Sequence, residues 1–244
     1  MPQVSRLRPG NDFSEDIALQ TKRAGFLNEY FYFFMSLLIA AVVFYGFGRE
    51  LDHHFLHPSH KLPFLLTIHA TIFTAWILFY VLQSALVRTR NVRLHRSLGW
   101  FGFALGCLIP IVGTMTAVVM RRFDMQFADM RLTAPLLRTA LLDLSTFTIP
   151  FFLAIYWRNR PEYHRRLILL AACGLTASAF VRFPRMFHPW PWYYVGVDLL
   201  VLLAMLRDQI VDHRVHKIYR IALPAMIIVQ FVIMETILQH LWLK

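Results

Sequence analysis

What this chain has least of is charge and cysteine. Charged residues make up 16% of its 244 residues, only 14 of them are acidic, and there are two cysteines. Two thiols cannot supply a disulfide framework, and the absence of CxxCH excludes covalent haem attachment, though not a noncovalently bound haem b. No HExxH or other specific catalytic signature occurs. No polar stretch is long enough to make a soluble domain. A cleavable secretory signal is not expected, since the first twenty-five residues are polar and the apolar block behind them is too long for a signal core. Cys107 and Cys173 fall inside apolar blocks, where small packing residues are expected.

What the chain does have is long apolar runs. Hydrophobic residues make up 57%, and about 20 in a row are needed to cross a bilayer as a helix. Seven blocks qualify, at 26–47, 63–87, 97–120, 134–157, 167–181, 192–206 and 218–243, of which the fifth and sixth are the shortest and most polar. The expected fold is an all-α, seven-helix transmembrane bundle over residues 26–244, preceded by a cytoplasmic arm over 1–25 in which "SEDIALQTKR" makes a short surface helix. The net charge of +11 would suggest nucleic acid in a soluble chain. Its distribution points to topology instead. With the N-terminus inside, the four inner segments carry four basic residues each: Arg6, Arg8, Lys22 and Arg23; Arg88, Arg90, Arg93 and Arg96; Arg158, Arg160, Arg165 and Arg166; Arg207, Arg214, Lys217 and Arg220. That is the positive-inside pattern, with the C-terminus outside; it makes lipid, not nucleic acid, the partner.

Three helices expected to enter from the inside begin alike, at His95-Arg96, His164-Arg165 and His216-Lys217, which suggests three repeated hairpins with one helix added. Gly99, Gly102, Gly106 and Gly113 share a face of the third span and make it the expected central helix. Pro110, Pro150 and Pro224 lie inside spans, and Trp190, Trp192, Tyr193 and Tyr194 form an interfacial aromatic belt.

Histidines crowd the stretch "LDHHFLHPSHKLPFLLTIHA". His53, His54, His57 and His60 can gather zinc or copper if the loop coils, but Pro58 and Ser59 favour an exposed loop. His69 differs, lying about six residues inside the outer boundary, ~9 Å deep. Asp143, Asp198, Glu235, Arg182 and Arg138 reach a similar level, so six ionisable residues from five helices share the outer half. Three lone carboxylates there would cost on the order of 8–10 kcal/mol, comparable with the stability of a whole domain. They must be shared, protonated or wet. Polar stripes run down His69, Trp76, Tyr80 and Gln83 and down Thr139, Asp143, Thr146 and Pro150, and both should face protein. Asp143 with Arg182, and Asp198 with His69, are the expected pairs if the charges serve only to fix register. A second cluster, His95, His164 and His216 with His213 nearby, lies on the inner side, either as ligands for haem or zinc or as lipid-phosphate anchors.

The string "IHATIFTAWILFYVLQSALVRTRNVRLHRSLGW", followed by "EYHRRLILLAACG", resembles a family of bacterial polytopic membrane proteins of unknown activity. The likeness rests on His69, Trp76, Gln83, His95, Arg96, Gly99, His164 and Arg165, spans the second to fifth blocks, and implies a class but no mechanism. A looser similarity is to cytochrome b561-like proteins, which hold haem between histidines of neighbouring helices. Here Asp143 and Asp198 stand where such a fold would want imidazole, so haem would need His95 with His164, or His69 with a loop histidine such as His188. Three functions follow. The first is binding or transport of protons or a small ligand through His69, Asp143, Arg182, Asp198 and Glu235, with Arg138, Trp76 and Gln83 around them. The second is a redox protein using haem b or quinone, with His69, His95, His164 and His216 as candidate ligands. The third is a hydrolase whose metal, such as zinc, is held by His69, Asp143 and Asp198.

Overall fold

The turns at the basic end of the chain are specified by single residues. Thr89 closes one helix by donating its hydroxyl to the Ala85 carbonyl at 3.0 Å, and Arg90 turns the chain with a φ of 60°. The Asn91 side-chain oxygen then accepts the Leu94 N–H at 3.4 Å and starts the next helix. Two segments on, Pro161 occupies the first helical turn, where its missing N–H costs nothing.

A computed structural model describes residues 11–48, 62–124, 130–184 and 193–242. Among the described residues the chain is helical throughout and has no strand. The elements are α1 (Asn11–Gly48), α2 (Phe64–Arg88), α3 (Val92–Asp124), α4 (Met130–Tyr156), α5 (Pro161–Leu175), α6 (Ala177–Phe180), α7 (Tyr194–Val211) and α8 (Lys217–Trp242). Five stretches are long and apolar enough to cross a membrane: Gly25–Gly48, Phe64–Arg88, Val92–Phe123, Leu137–Tyr156 and Lys217–Glu235. They coincide with five of the seven expected spans and make this a multi-pass membrane protein. The fifth and sixth spans fall on α5, α6 and α7, of 15, 4 and 18 residues. The helix expected over "SEDIALQTKR" is not separate, because α1 runs unbroken from Asn11 into the first span.

Neighbouring helices touch in the order α1, α2, α3, α4, α8, α7 and back to α1, which closes a ring of six. α5 stands inside the ring, against α1, α4, α7 and α8. Its residues Arg166, Leu167 and Leu169 to Gly174 are all buried. The expectation that the third span is central is therefore corrected. α3 lies in the ring and turns Trp100, Phe101 and Ile111 outward. Hydropathy measures the need to face lipid, and a helix enclosed by other helices has no such need, so the central helix is one of the least apolar.

The α3 glycines are sockets for side chains from neighbouring helices rather than points of backbone approach. A Cβ on Gly102 would meet the Phe79 ring, on Gly106 the Phe151 ring, and on Gly113 the end of Leu144, while Gly99 has open space. The tight crossings lie elsewhere. A Cβ on Gly46 of α1 would come 2.6 Å from the Ala179 carbonyl oxygen of α6, and one on Gly174 of α5 would come 2.9 Å from the Thr146 backbone of α4. Cys173 is buried in the core and Cys107 is half-buried; both are free thiols.

Candidate functional site

α4 is built to hold polar groups among apolar ones. Ser145, Thr146 and Thr148 each return their hydroxyl to a carbonyl of the preceding turn, at 2.6, 2.6 and 2.8 Å. Their polarity is thus spent inside the helix. Asp143, one turn before Thr146, has no such local outlet. Its carboxyl accepts a hydrogen bond from the Tyr194 hydroxyl of α7 at 2.6 Å, and the Tyr193 ring packs tilted against Tyr194 with ring centres 4.4 Å apart. Both tyrosines are buried. Asp198, one turn further along α7, accepts a hydrogen bond from the Gln230 amide of α8 at 2.8 Å.

These partners replace the expected ion pairs. Asp143 is joined to Tyr194 rather than to Arg182, and Asp198 to Gln230 rather than to His69. No ion pair to either carboxylate occurs among the described residues. Arg182 donates to the Ser178 carbonyl at 2.5 Å and lies over the Phe47 ring at 4.4 Å. It is also the charged neighbour of His69, whose ring stacks on Phe73 at 3.9 Å and whose Nδ1 is buried with no hydrogen-bond partner among the described residues. Trp76 sits edge-on to Phe147 and Phe151, at 5.2 and 5.4 Å, and is core. Gln83 keeps both amide atoms buried with no partner among the described residues. Arg138 and Glu235 lie on exposed faces of α4 and α8. His69, Asp143 and Asp198 do not gather as metal ligands: no cluster of three or more His, Cys, Asp or Glu with metal-binding geometry occurs among the described residues. His53, His54, His57, His60 and His188, with Trp190 and Trp192, lie outside the described residues.

At the basic end, two of the three expected histidines meet. His95 and His164 have ring centres 6.4 Å apart. His216 stands off, edge-on to Tyr163 at 5.0 Å. Burial lowers the His164 imidazole below its ordinary value, opposed by a hydrogen bond to the Ala154 carbonyl. Burial and the Arg166 charge lower His216 in the same way.

Beside them lies an arrangement that the sequence reading missed. Arg166 of α5 grips Asp208 of α7 with two hydrogen bonds of 2.8 Å, and reaches Asp212 at 2.7 Å. Arg207 adds bonds of 3.0 and 2.9 Å to the same two carboxylates and donates to the Asn28 side chain of α1. The backbone N–H of His216, at the start of α8, completes Asp208 at 3.3 Å. Side-chain exposure is 2% for Arg166, 1% for Arg207 and 0% for Asp208, with Asp212 at 34%. Two positive and two negative groups make the network neutral. Burial alone would raise the Asp208 carboxyl, but the hydrogen bonds and charge of Arg166, helped by Arg207, hold it below the ordinary carboxylate value. Burial likewise opposes the Arg166 charge, and the Asp208 hydrogen bonds more than restore it. The available signal was the Asp208–Asp212 pair, one turn apart beside Arg207; a tally of basic residues per segment counts an arginine without asking what it faces.

Comparison of the chain with models of protein families, with curated proteins and with solved structures finds no match.

Proposed function

We propose that this chain is a seven-pass protein of a bacterial inner membrane, N-terminus inside and C-terminus outside, whose distal-half polar site binds or conducts protons or a small ligand. The observation that carries the reading is the bond from Tyr194 to Asp143. A hydroxyl satisfies one lone pair of a carboxyl but brings no charge. A buried carboxyl with no cation beside it is neutralised by taking up a proton or a cation, and intramembrane carboxyls of this kind mark ion and proton paths. Asp198 with Gln230 repeats the pattern one turn along α7, so consecutive turns of α7 each join a carboxyl to a neutral partner, on α4 and on α8. His69 and Arg182 supply the basic side of the site, with Glu235, Arg138, Trp76 and Gln83 as outer members of the proposal. The resemblance to bacterial polytopic proteins through His69, Trp76 and Gln83 belongs to the same proposal.

The test is pH-difference infrared spectroscopy on protein reconstituted in lipid. A carboxyl C=O band that grows on acidification should be lost in Asp143→Asn, and in Tyr194→Phe it should survive with an altered frequency and midpoint. Difference spectra that are the same for wild type and Asp143→Asn would remove the site.

A further inference from the structure

The polar groups at the junction of α2, α3, α4 and α5 are not used by the distal site, and they form a constellation of their own. We infer that His95 and His164 are two opposite imidazole ligands of a transition-metal centre, either a two-coordinate Cu⁺ or the iron of a haem.

Spacing is the first ground. A metal ~2 Å from each donor nitrogen sets two imidazole centres ~5 Å apart at a tetrahedral angle and ~6.3 Å apart when the two ligands stand opposite each other. The rings of His95 and His164 are 6.4 Å apart, with planes inclined at 77°, a separation that fits opposite ligands and is too long for tetrahedral ones.

The tautomer is the second. His164 Nδ1 lies 2.9 Å from the Ala154 carbonyl, which can only accept, so Nδ1 carries the proton and Nε2 keeps its lone pair. Metal-ligating histidines are held in this way, the second ring N–H given to a carbonyl that fixes orientation and raises basicity. α4 therefore supplies an outer support and α5 the ligand.

Unmet polarity is the third. Among the described residues, His95 Nδ1 is buried with no hydrogen-bond partner, and so are both side-chain amide atoms of Gln83. Buried polar groups are nearly always paired. Three orphan atoms on two side chains from the facing α2–α3 pair mark a place built for something further, and the Gln83 backbone carbonyl, which accepts a hydrogen bond from the His95 ring, holds that ring as Ala154 holds His164. No third His, Cys, Asp or Glu joins the pair among the described residues, which suits an ion held by two opposite ligands or an iron whose other four positions belong to a macrocycle.

The test uses the full chain in detergent with His53, His54, His57 and His60 replaced by alanine, since that loop can bind metal by itself. One sample is titrated with Cu⁺ against a chromophoric competitor, another is reconstituted with haem b, and bound metal is counted in each. One equivalent is expected in one of the two arms, and which arm responds identifies the source. Affinity should fall at least ~100-fold in His95→Gln and in His164→Asn, an N–H donor being kept for Ala154 in the latter. Haem binding would add an absorption band that shifts on reduction and is lost in both variants. Circular dichroism establishes that the variants are folded. Binding in neither arm, or binding that both variants retain at full affinity, overturns the assignment.

Discussion

Asp208→Ala should destabilise the protein by about 3–5 kcal/mol, the largest loss expected from any single side chain here. The cost does not come from the strength of one ion pair. It comes from what is left behind, Arg166 and Arg207, both essentially without solvent, facing one remaining carboxylate that is 34% exposed. Asp208→Asn keeps a hydrogen-bond acceptor and removes the charge, so it should fall between alanine and wild type. Arg166→Lys keeps the charge but cannot reproduce the two-pronged grip. Thermal or SDS unfolding followed by circular dichroism ranks the four proteins. The pH dependence has a definite sign. Asp208 is held below the ~3.9 of an unfolded aspartate, so its contribution is complete above that value and is lost as pH falls through the lower, folded one. The acid limb of the stability profile should flatten in Asp208→Asn. A midpoint that ignores Asp208→Ala altogether would make the network incidental to the fold.

Gly174→Ala should cost about 1–3 kcal/mol although it adds a single methyl group. The new Cβ would stand 2.5 Å from the Thr146 hydroxyl and 2.9 Å from the Thr146 carbonyl carbon and oxygen. Backbone cannot swing aside as a ring can, so α4 and α5 must separate. The same change at three other glycines provides the scale. At Gly102 the neighbour is the Phe79 ring edge, which can rotate, and a smaller loss is expected. At Gly99 nothing lies within 4 Å, and alanine should stabilise by roughly 0.5–1 kcal/mol through helix propensity alone. Gly46→Ala, against the Ala179 carbonyl, should behave like Gly174→Ala. The effect also reaches the distal site, because the Thr146 hydroxyl is bonded to the Asp143 carbonyl at 2.6 Å. Moving Thr146 should therefore shift the Asp143 infrared midpoint. Equal stability changes at Gly99 and Gly174 would show that the α4–α5 contact is not tight.

Helix existence was legible because crossing a bilayer demands apolar length, and that demand is written residue by residue. The inward stripes were legible for the same reason: Trp76 and Tyr80 are buried where the helical period put them. Arrangement was not. Which helix is central depends on contacts between segments far apart in sequence, and α5, enclosed on all sides, carries the weakest apolar signal for that reason. Partner choice was also out of reach. Tyr194 belonged to an interfacial belt and Gln230 to no pattern, yet rotation of α7 and α8 brings them to Asp143 and Asp198. The pairing of His95 with His164 was foreseeable from their repeated place at helix starts, whereas His216, one residue ahead of its own helix, faces Tyr163 instead.

The buried arginine of the central helix sets an order of events during synthesis. Arg166 leaves the ribosome 42 residues before Asp208, roughly two to eight seconds earlier at ordinary elongation rates. Until then the two carboxylates that hold it in the finished fold, Asp208 and Asp212, do not exist. The inner end of α5 can therefore close against α7 only after α7 is made, and the two then pack as a neutral unit. The Asn28 contact, 179 residues back from Arg207, ties that unit to the first helix. A chain that stalls before Asp208 leaves Arg166 without either carboxylate of its finished network.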